Sequence, residues 1–118
     1  MTHKNIPECV ELMRKKTPFK GRHVFGEARA GTVTNPPTYV VYSYDHTMPI
    51  YVYDYEMCQW FGLQGSEIDL VKNTLNHLRK FKPYSVAQWL PYNHLINTAL
   101  MGYTNATAHA VEQRLLTN

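Results

Sequence analysis

Histidines are the side chains of this sequence best suited to metal binding or proton transfer. No two are four residues apart, as metal-binding histidines on one helix face would be, and none belongs to a His-Glu-x-x-His motif. His77 and His94 flank a predicted helix turn and could come together in space. The spacing predicts neither a metal site nor a bound cofactor. The six histidines are His3, His23, His46, His77, His94 and His109.

Nucleophilic and acid–base catalysis have little support in the motifs. The sequence has no Gly-x-Ser-x-Gly elbow and no glycine-rich loop that would hold a phosphate. Cys9 lies in a predicted helix. Cys58 follows a predicted strand and precedes Gln59-Trp60-Phe61, and in such apolar surroundings a thiol is unreactive. Asp54 and Glu56 could act as paired carboxylates, or could solubilise a strand edge. We therefore predict no catalytic residues and no enzymatic activity.

Length and composition predict one globular domain over residues 1–118. Apolar residues make up 44% and charged residues 18%, as in a folded domain with its own core. No stretch approaches the roughly 20 apolar residues that cross a bilayer, and the N-terminus lacks the apolar region of a secretory leader. Two cysteines without a Cys-x-x-Cys pair leave one disulfide open, but favour a reduced cytosolic chain without structural zinc.

Charge is unevenly distributed, although the net charge is only +3. Residues 30–71 contain five acidic side chains and no Lys or Arg, so this segment carries a net charge of −5. Basic residues at helix ends often only complement the helix dipole. The alternative is that they bind nucleic acid. One basic block comprises Arg14, Lys15, Lys16, Lys20, Arg22 and Arg29, and a second comprises Lys72, Arg79, Lys80 and Lys82.

Caps and periodicity predict several helices. Asn5, Pro7 and Glu8 mark the start of a first helix that ends near Lys16. A second is predicted from Ser66 to Phe81, because apolar residues recur there at spacings of three and four. A short third helix is predicted from Ser85 with Gln88, a fourth around residues 95–102, and a last one from Thr104 or Asn105.

A tyrosine-rich segment, TYVVYSYDHTMPIYVYDYE, predicts a β-hairpin. Residues 38–44 and 50–55 are rich in β-branched and aromatic side chains, and a five-residue loop joins them. We expect Tyr42 to face Val52, and Val40 to face Asp54. The preceding residues 23–33 predict one more strand, with a bulge at Gly26. The predicted fold is α+β: a small antiparallel sheet of two or three strands packed by four or five helices.

Tyrosines in this hairpin predict a protein-binding surface. Tyr, Trp, Met and Arg dominate interface hot spots, and a tyrosine ring can contact a partner while its hydroxyl stays in water. Acidic side chains beside them would complement a basic partner. The predicted partner-binding residues are Tyr42, Tyr44, Tyr51, Tyr53, Asp45, Asp54 and Glu56, and the nucleic-acid alternative uses Arg14, Lys15, Lys16, Lys20 and Arg22.

Residues 18–85 resemble a small domain of bacteriophage proteins for which no activity is established. The resemblance rests on PFKGRHVFG, then YVVYSY followed closely by PIYVYD, then KPYS. Relatives continue with threonines and a histidine where this chain has residues 86–89, and residues 62–80 look inserted. The family implies phage origin and action in the cytoplasm of a host bacterium.

The resemblance and the tyrosines together lead to a functional hypothesis. Small phage proteins often bind and inhibit a host component, so we predict a non-enzymatic inhibitor of a host protein or ribonucleoprotein complex. A bacterial defence system is a candidate target, as for anti-CRISPR proteins. The protein would act as a monomer or homodimer, without a membrane.

Overall fold

Six strands and three helices make up the part of the chain that the computed structural model describes, residues 5–64 and 72–103. The predicted helix starts at Ser66 and at Thr104 or Asn105 lie outside these ranges. The elements are α1 (Ile6–Arg14), β1 (Phe19–Lys20), β2 (Val24–Arg29), β3 (Thr38–Ser43), β4 (Pro49–Asp54), β5 (Gln59–Leu63), α2 (Lys72–Lys80), β6 (Gln88–Leu90) and α3 (Tyr92–Met101).

The strands form one mixed sheet in the order β1-β2-β3-β4-β5-β6. Neighbouring strands pair antiparallel from β1 to β5, and β5 pairs parallel with β6. A parallel pair needs a crossover connection, and α2 lies in the connection between β5 and β6. The prediction of a small antiparallel sheet packed by four or five helices is therefore wrong.

Burial of β5 and the pairing of β6 with it explain why the sheet is larger than predicted. Residues 59–63 are buried from Trp60 to Leu63, so β5 shows no alternation that would reveal a strand. The predicted short helix at Ser85 and Gln88 is also wrong, because Gln88 pairs with Phe61 and begins β6. Hydrogen bonds with the neighbouring strand β5 outweigh the local helix-cap signature here.

Helices cover both faces of the sheet. On one face, the Tyr39 hydroxyl donates to the carbonyl of Thr17, just after α1, and the Tyr51 hydroxyl donates to the carbonyl of Leu78 in α2. On the other face, Thr38 Oγ1 donates to the carbonyl of Ala99 in α3 at 2.9 Å. We call these the α1–α2 face and the α3 face. Every residue of β3 is buried between them.

The predicted hairpin is present, but its register differs. Val40 pairs with Val52 rather than with Asp54, and the pairing shifts at a bulge between Val41 and Tyr42. The difference is two residues before the bulge, so the side chains there keep their predicted faces. Gly26 is not a bulge, because it pairs regularly with both neighbouring strands. A Cβ on Gly26 would lie 2.4 Å from the Tyr39 hydroxyl, which explains the glycine.

Local signals placed two helix ends correctly. Asn5 caps α1, since its Oδ1 accepts a hydrogen bond from the Glu8 amide at 2.9 Å. Gly102 follows α3 with a φ of 79°, a conformation that favours glycine. In residues 5–64 and 72–103, no helix combines the length and the hydropathy that a membrane span requires.

Candidate functional site

Half of the predicted tyrosine surface belongs to the core. Tyr51 is fully buried and Tyr42 is 5% exposed, while Tyr44 is 43% exposed and Tyr53 is half-buried. Burial raises the pKa of the Tyr51 phenol well above its ordinary value. The rings of Tyr42 and Tyr51 therefore stabilise the sheet, and only Tyr44 and part of Tyr53 can contact a partner.

The three predicted acidic partner residues also separate. Asp54 is 1% exposed and forms hydrogen bonds with three backbone amides, so it is neither an edge solubiliser nor one of a pair of exposed carboxylates. Glu56 is exposed in the turn after β4. Asp45 is exposed in the β3–β4 loop, where hydrogen bonds from Thr47 lower the pKa of its carboxyl. Asp45 and Glu56 thus lie at opposite ends of the hairpin.

The two basic blocks, distant in sequence, meet on the α1–α2 face. Arg14 ends α1, Lys15 and Lys16 follow it, and Arg22 lies in the β1–β2 turn beside it. Arg79 and Lys80 end α2, and Lys82 follows. Lys20 does not join them. Its neighbour Phe19 packs on Phe81 in the α1–α2 face, so Lys20 points towards the opposite face.

Aromatic rings accompany these cations. The Arg14 guanidinium lies 4.1 Å from the centre of the Tyr84 ring, and the Lys82 ammonium 5.9 Å from the Trp89 ring. Lys16 lies 4.4 Å from the ring of Tyr53. Tyr84 is 85% exposed and Trp89 is 43% exposed. Exposed rings beside cations are the components of a surface that stacks bases and neutralises phosphates.

A trough lies between α2 and β6, with a volume of about 390 Å³. Its walls combine apolar side chains with two cations, and Trp89 forms one side. The ring of Trp89 packs over Gly62, where a Cβ would lie 2.6 Å from the indole. The lining residues are Tyr51, Leu63, Gln64, Leu75, Leu78, Arg79, Lys82 and Trp89, which we call the Trp89 trough.

A second cavity, of about 450 Å³, opens on the other side of α2, between this helix, α1 and the β1–β2 turn. We call it the α1–α2 cleft. Its lining includes two histidines, an arginine and a lysine. The residues are Asn5, Ile6, Cys9, Gly21, Arg22, His23, Val24, Asn76, His77 and Lys80.

His77 is the buried ionisable group of the cleft. Its Nδ1 lies 2.8 Å from Ser43 Oγ, which in turn lies 3.0 Å from Thr74 Oγ1. Burial lowers the pKa of His77, and the nearby charges of His23 and Lys80 lower it further. His77 is therefore favoured in its neutral form when the cleft is empty.

His23, which lines the cleft, and its neighbour Tyr44 both have left-handed backbones. His23 has a φ of 61° and Tyr44 a φ of 72°, and their rings lie 5.1 Å apart. Such conformations cost energy in residues other than glycine and persist where the surrounding structure imposes them. Here the Tyr44 amide donates to the His23 carbonyl at 2.8 Å, which holds the two turns together.

Several other predicted groups do not join either cavity. His94 lies on α3, across the sheet from His77, so these two histidines do not meet. Arg29 donates to the carbonyl of Ala99 at 2.7 Å and serves the α3 face. Cys58 is an exposed free thiol rather than one enclosed by apolar residues. No cluster of three metal-ligating side chains occurs among the described residues.

Sequence reasoning missed Tyr84, Trp89 and Asn76. A usable signal was present for the first, because Tyr84 follows Lys82 by two residues in an exposed, proline-containing segment. Trp89 was assigned to a helix, which concealed its place on the sheet. Asn76 has no local signal, since only the packing of α2 against α1 brings it to the cleft.

No protein-family model, curated protein or solved structure matches this chain.

Proposed function

We propose that the protein binds a single-stranded nucleic acid through its α1–α2 face. The observation that carries this proposal is that cations of two basic blocks, about 60 residues apart in sequence, each lie beside an exposed ring: Arg14 beside Tyr84, and Lys82 beside Trp89. Phosphates attract such cations, and unpaired bases stack on such rings.

The Trp89 trough favours a single strand over a duplex. A base could stack on the indole and pack on Leu75 and Leu78, while Arg79 and Lys82 lie within the same walls to meet its phosphate. A duplex hides its base faces, and reading it needs a helix or ribbon that fits a groove. Trp89 lies on the sheet surface beside α2, so it does not protrude as a groove-binding helix or ribbon does.

The three acidic residues of the hairpin region do not oppose this binding. Asp54 is buried, and the exposed Asp45 and Glu56 lie in loops that line neither the trough nor the cleft. Among the described residues, the acidic side chains of the hairpin therefore do not line the Trp89 trough.

Salt dependence tests the proposal. We expect a fluorescein-labelled single strand of about 20 nucleotides to bind with an affinity whose logarithm falls by about 0.7 per phosphate contact for each unit of log salt. With about four contacts, affinity should fall about 50-fold between about 50 and 200 mM salt. Fluorescence anisotropy measures this. Quenching of tryptophan emission in a Trp60→Phe variant would report on Trp89, since the sequence has two tryptophans and this variant keeps Trp89 alone.

Matched variants locate the surface. Tyr84→Ala should weaken binding roughly tenfold through lost stacking, while Tyr84→Phe should retain it. Lys82→Gln should reduce affinity and the salt slope, whereas Lys20→Gln removes the same charge from the opposite face and should change little. Equal effects of Lys82→Gln and Lys20→Gln, or no binding at low salt, would refute the proposal.

Binding to a host protein through the hairpin region is the second candidate. The observation that favours it is the turn after β4, where Tyr55 is 36% and Met57 is 38% exposed beside Glu56. Aromatic and methionine side chains are enriched at interfaces. A tagged protein should capture a discrete bacterial protein that survives nuclease, and Tyr55→Ala should lose it. Capture that nuclease abolishes would count against this candidate and support strand binding.

A further inference from the structure

The α1–α2 cleft concentrates positive charge without a matching carboxylate. Arg22 and His23 come from the β1–β2 turn, and His77 and Lys80 from α2. No Asp or Glu occurs among the described residues of its lining. Cations from two elements that face one cavity repel each other, so the empty cleft is electrostatically unfavourable.

The effect of this charge is visible at His77. His23 and Lys80 lower the pKa of His77, in addition to burial. Among the described residues, the charged groups that shift this pKa are cations, and His77 also contacts the hydroxyl of Ser43 and the rings of Tyr44 and Phe81. An anion bound in the cleft would neutralise the repulsion among these cations.

We propose that the α1–α2 cleft binds a phosphate monoester, with Arg22 and Lys80 as its charged contacts and His77 at its base. A phosphate monoester carries nearly two negative charges near neutral pH and offers several acceptor oxygens. Arg22 can donate two parallel hydrogen bonds to two of them, Lys80 supplies a compact charge, and the Asn76 amide adds a neutral donor.

The size of the cleft favours an organic phosphate. A volume of about 450 Å³ lies in the range of small-molecule sites and exceeds what one inorganic phosphate needs. Ile6 and Val24 form apolar parts of the wall, against which a sugar or base could pack. The ester could be a free nucleotide or the 5′-terminal phosphate of a strand.

The cleft does not overlap the Trp89 trough. Its α2 residues are Asn76, His77 and Lys80, while the Trp89 trough uses Leu75, Leu78 and Arg79 on the other side of the helix. The two cavities share no lining residue, so a variant of one leaves the other intact.

Isothermal titration with inorganic phosphate, a nucleoside 5′-monophosphate and the matching nucleoside tests the cleft. We expect the monophosphate to bind, and Arg22→Gln and Lys80→Gln each to weaken it at least tenfold. Arg79→Gln and Lys82→Gln, which remove charge from the trough side, should leave it unchanged. Equal losses in all four variants, or nucleoside binding as tight as monophosphate binding, would overturn the proposal.

Proton NMR of the histidine rings supplies a readout that folding alone does not move. A bound anion stabilises protonated His77, so saturating monophosphate should raise the pKa of His77 towards its ordinary value. If the pKa of His77 is the same with and without saturating monophosphate, the ligand does not bind in the cleft.

Oligonucleotides distinguish the two sources of the ester. A preference for a 5′-phosphorylated strand over a 5′-hydroxyl strand, lost in Arg22→Gln, would assign the cleft to a strand terminus. Binding of the mononucleotide without that preference would assign it to a free nucleotide. Loss of all strand binding in Lys82→Gln with intact monophosphate binding would separate the trough from the cleft.

Discussion

Replacing Tyr51 by alanine is expected to reduce the free energy of unfolding by about 3–5 kcal/mol, as for other large aromatic side chains removed from a core. Tyr51 is fully buried under α2, packs against Trp89 with ring centres 6.0 Å apart, and donates its hydroxyl to the carbonyl of Leu78. Removal leaves a cavity between the sheet and the helix. Urea denaturation followed by circular dichroism measures the loss.

Tyr51→Phe separates the contribution of the hydroxyl from that of the ring, and Tyr84→Ala serves as the exposed control. Tyr51→Phe keeps the ring and loses only the hydrogen bond to Leu78, so it should cost about 1 kcal/mol. Tyr84→Ala removes a tyrosine that is 85% exposed and should change stability by less than about 0.5 kcal/mol. Unchanged stability in Tyr51→Ala would mean that this ring does not support the core and belongs to a contact surface.

Asp54→Ala is expected to cost about 3 kcal/mol, because hydrogen bonds to a charged acceptor are strong and their donors would be left without a partner. Asp54 Oδ1 accepts from the amides of Glu56 at 2.8 Å and Met57 at 3.0 Å. Its Oδ2 accepts from the amide of Tyr103 at 2.6 Å. The carboxylate thus joins the β4–β5 turn to the end of α3, and differential scanning calorimetry should show a lower Tm.

Asp45→Ala is the matched control. Asp45 also accepts hydrogen bonds within a turn, from the amide and hydroxyl of Thr47, but it is exposed and water can replace it. Its removal should cost clearly less than that of Asp54. Asp54→Asn should fall between wild type and Asp54→Ala, since the amide oxygen retains part of the acceptor capacity. Equal losses for Asp45→Ala and Asp54→Ala would contradict a structural role for burial at Asp54.

These expectations decide which variants can test function. Tyr51 and Asp54 support the fold, so a loss of partner binding after their replacement would reflect unfolding. Tyr84, Lys82 and Arg22 are the better probes, because Tyr84 and the charged ends of the other two side chains reach the surface or a cavity.

The sequence by itself determined the features that depend on short-range chemistry. Asn5 predicts the start of α1 because its side chain can only cap amides one turn away. Gly102 predicts the end of α3, since its left-handed backbone disfavours other residues. The two hairpin strands were predicted from β-branched and aromatic residues on either side of a short loop.

Long-range packing decided the rest. Burial on both faces removed the alternation that would have revealed β5, and pairing with β5 made residues 88–90 a strand despite a helix-cap signature. The same burial turned Tyr51 and Asp54 from predicted contacts into core residues. The α1–α2 cleft arises because α1, α2 and the β1–β2 turn surround one cavity, and the Trp89 trough arises because α2 lies beside β6. Arg22 and Lys80 of the cleft lie far apart in sequence, and no local pattern records that they line one cavity.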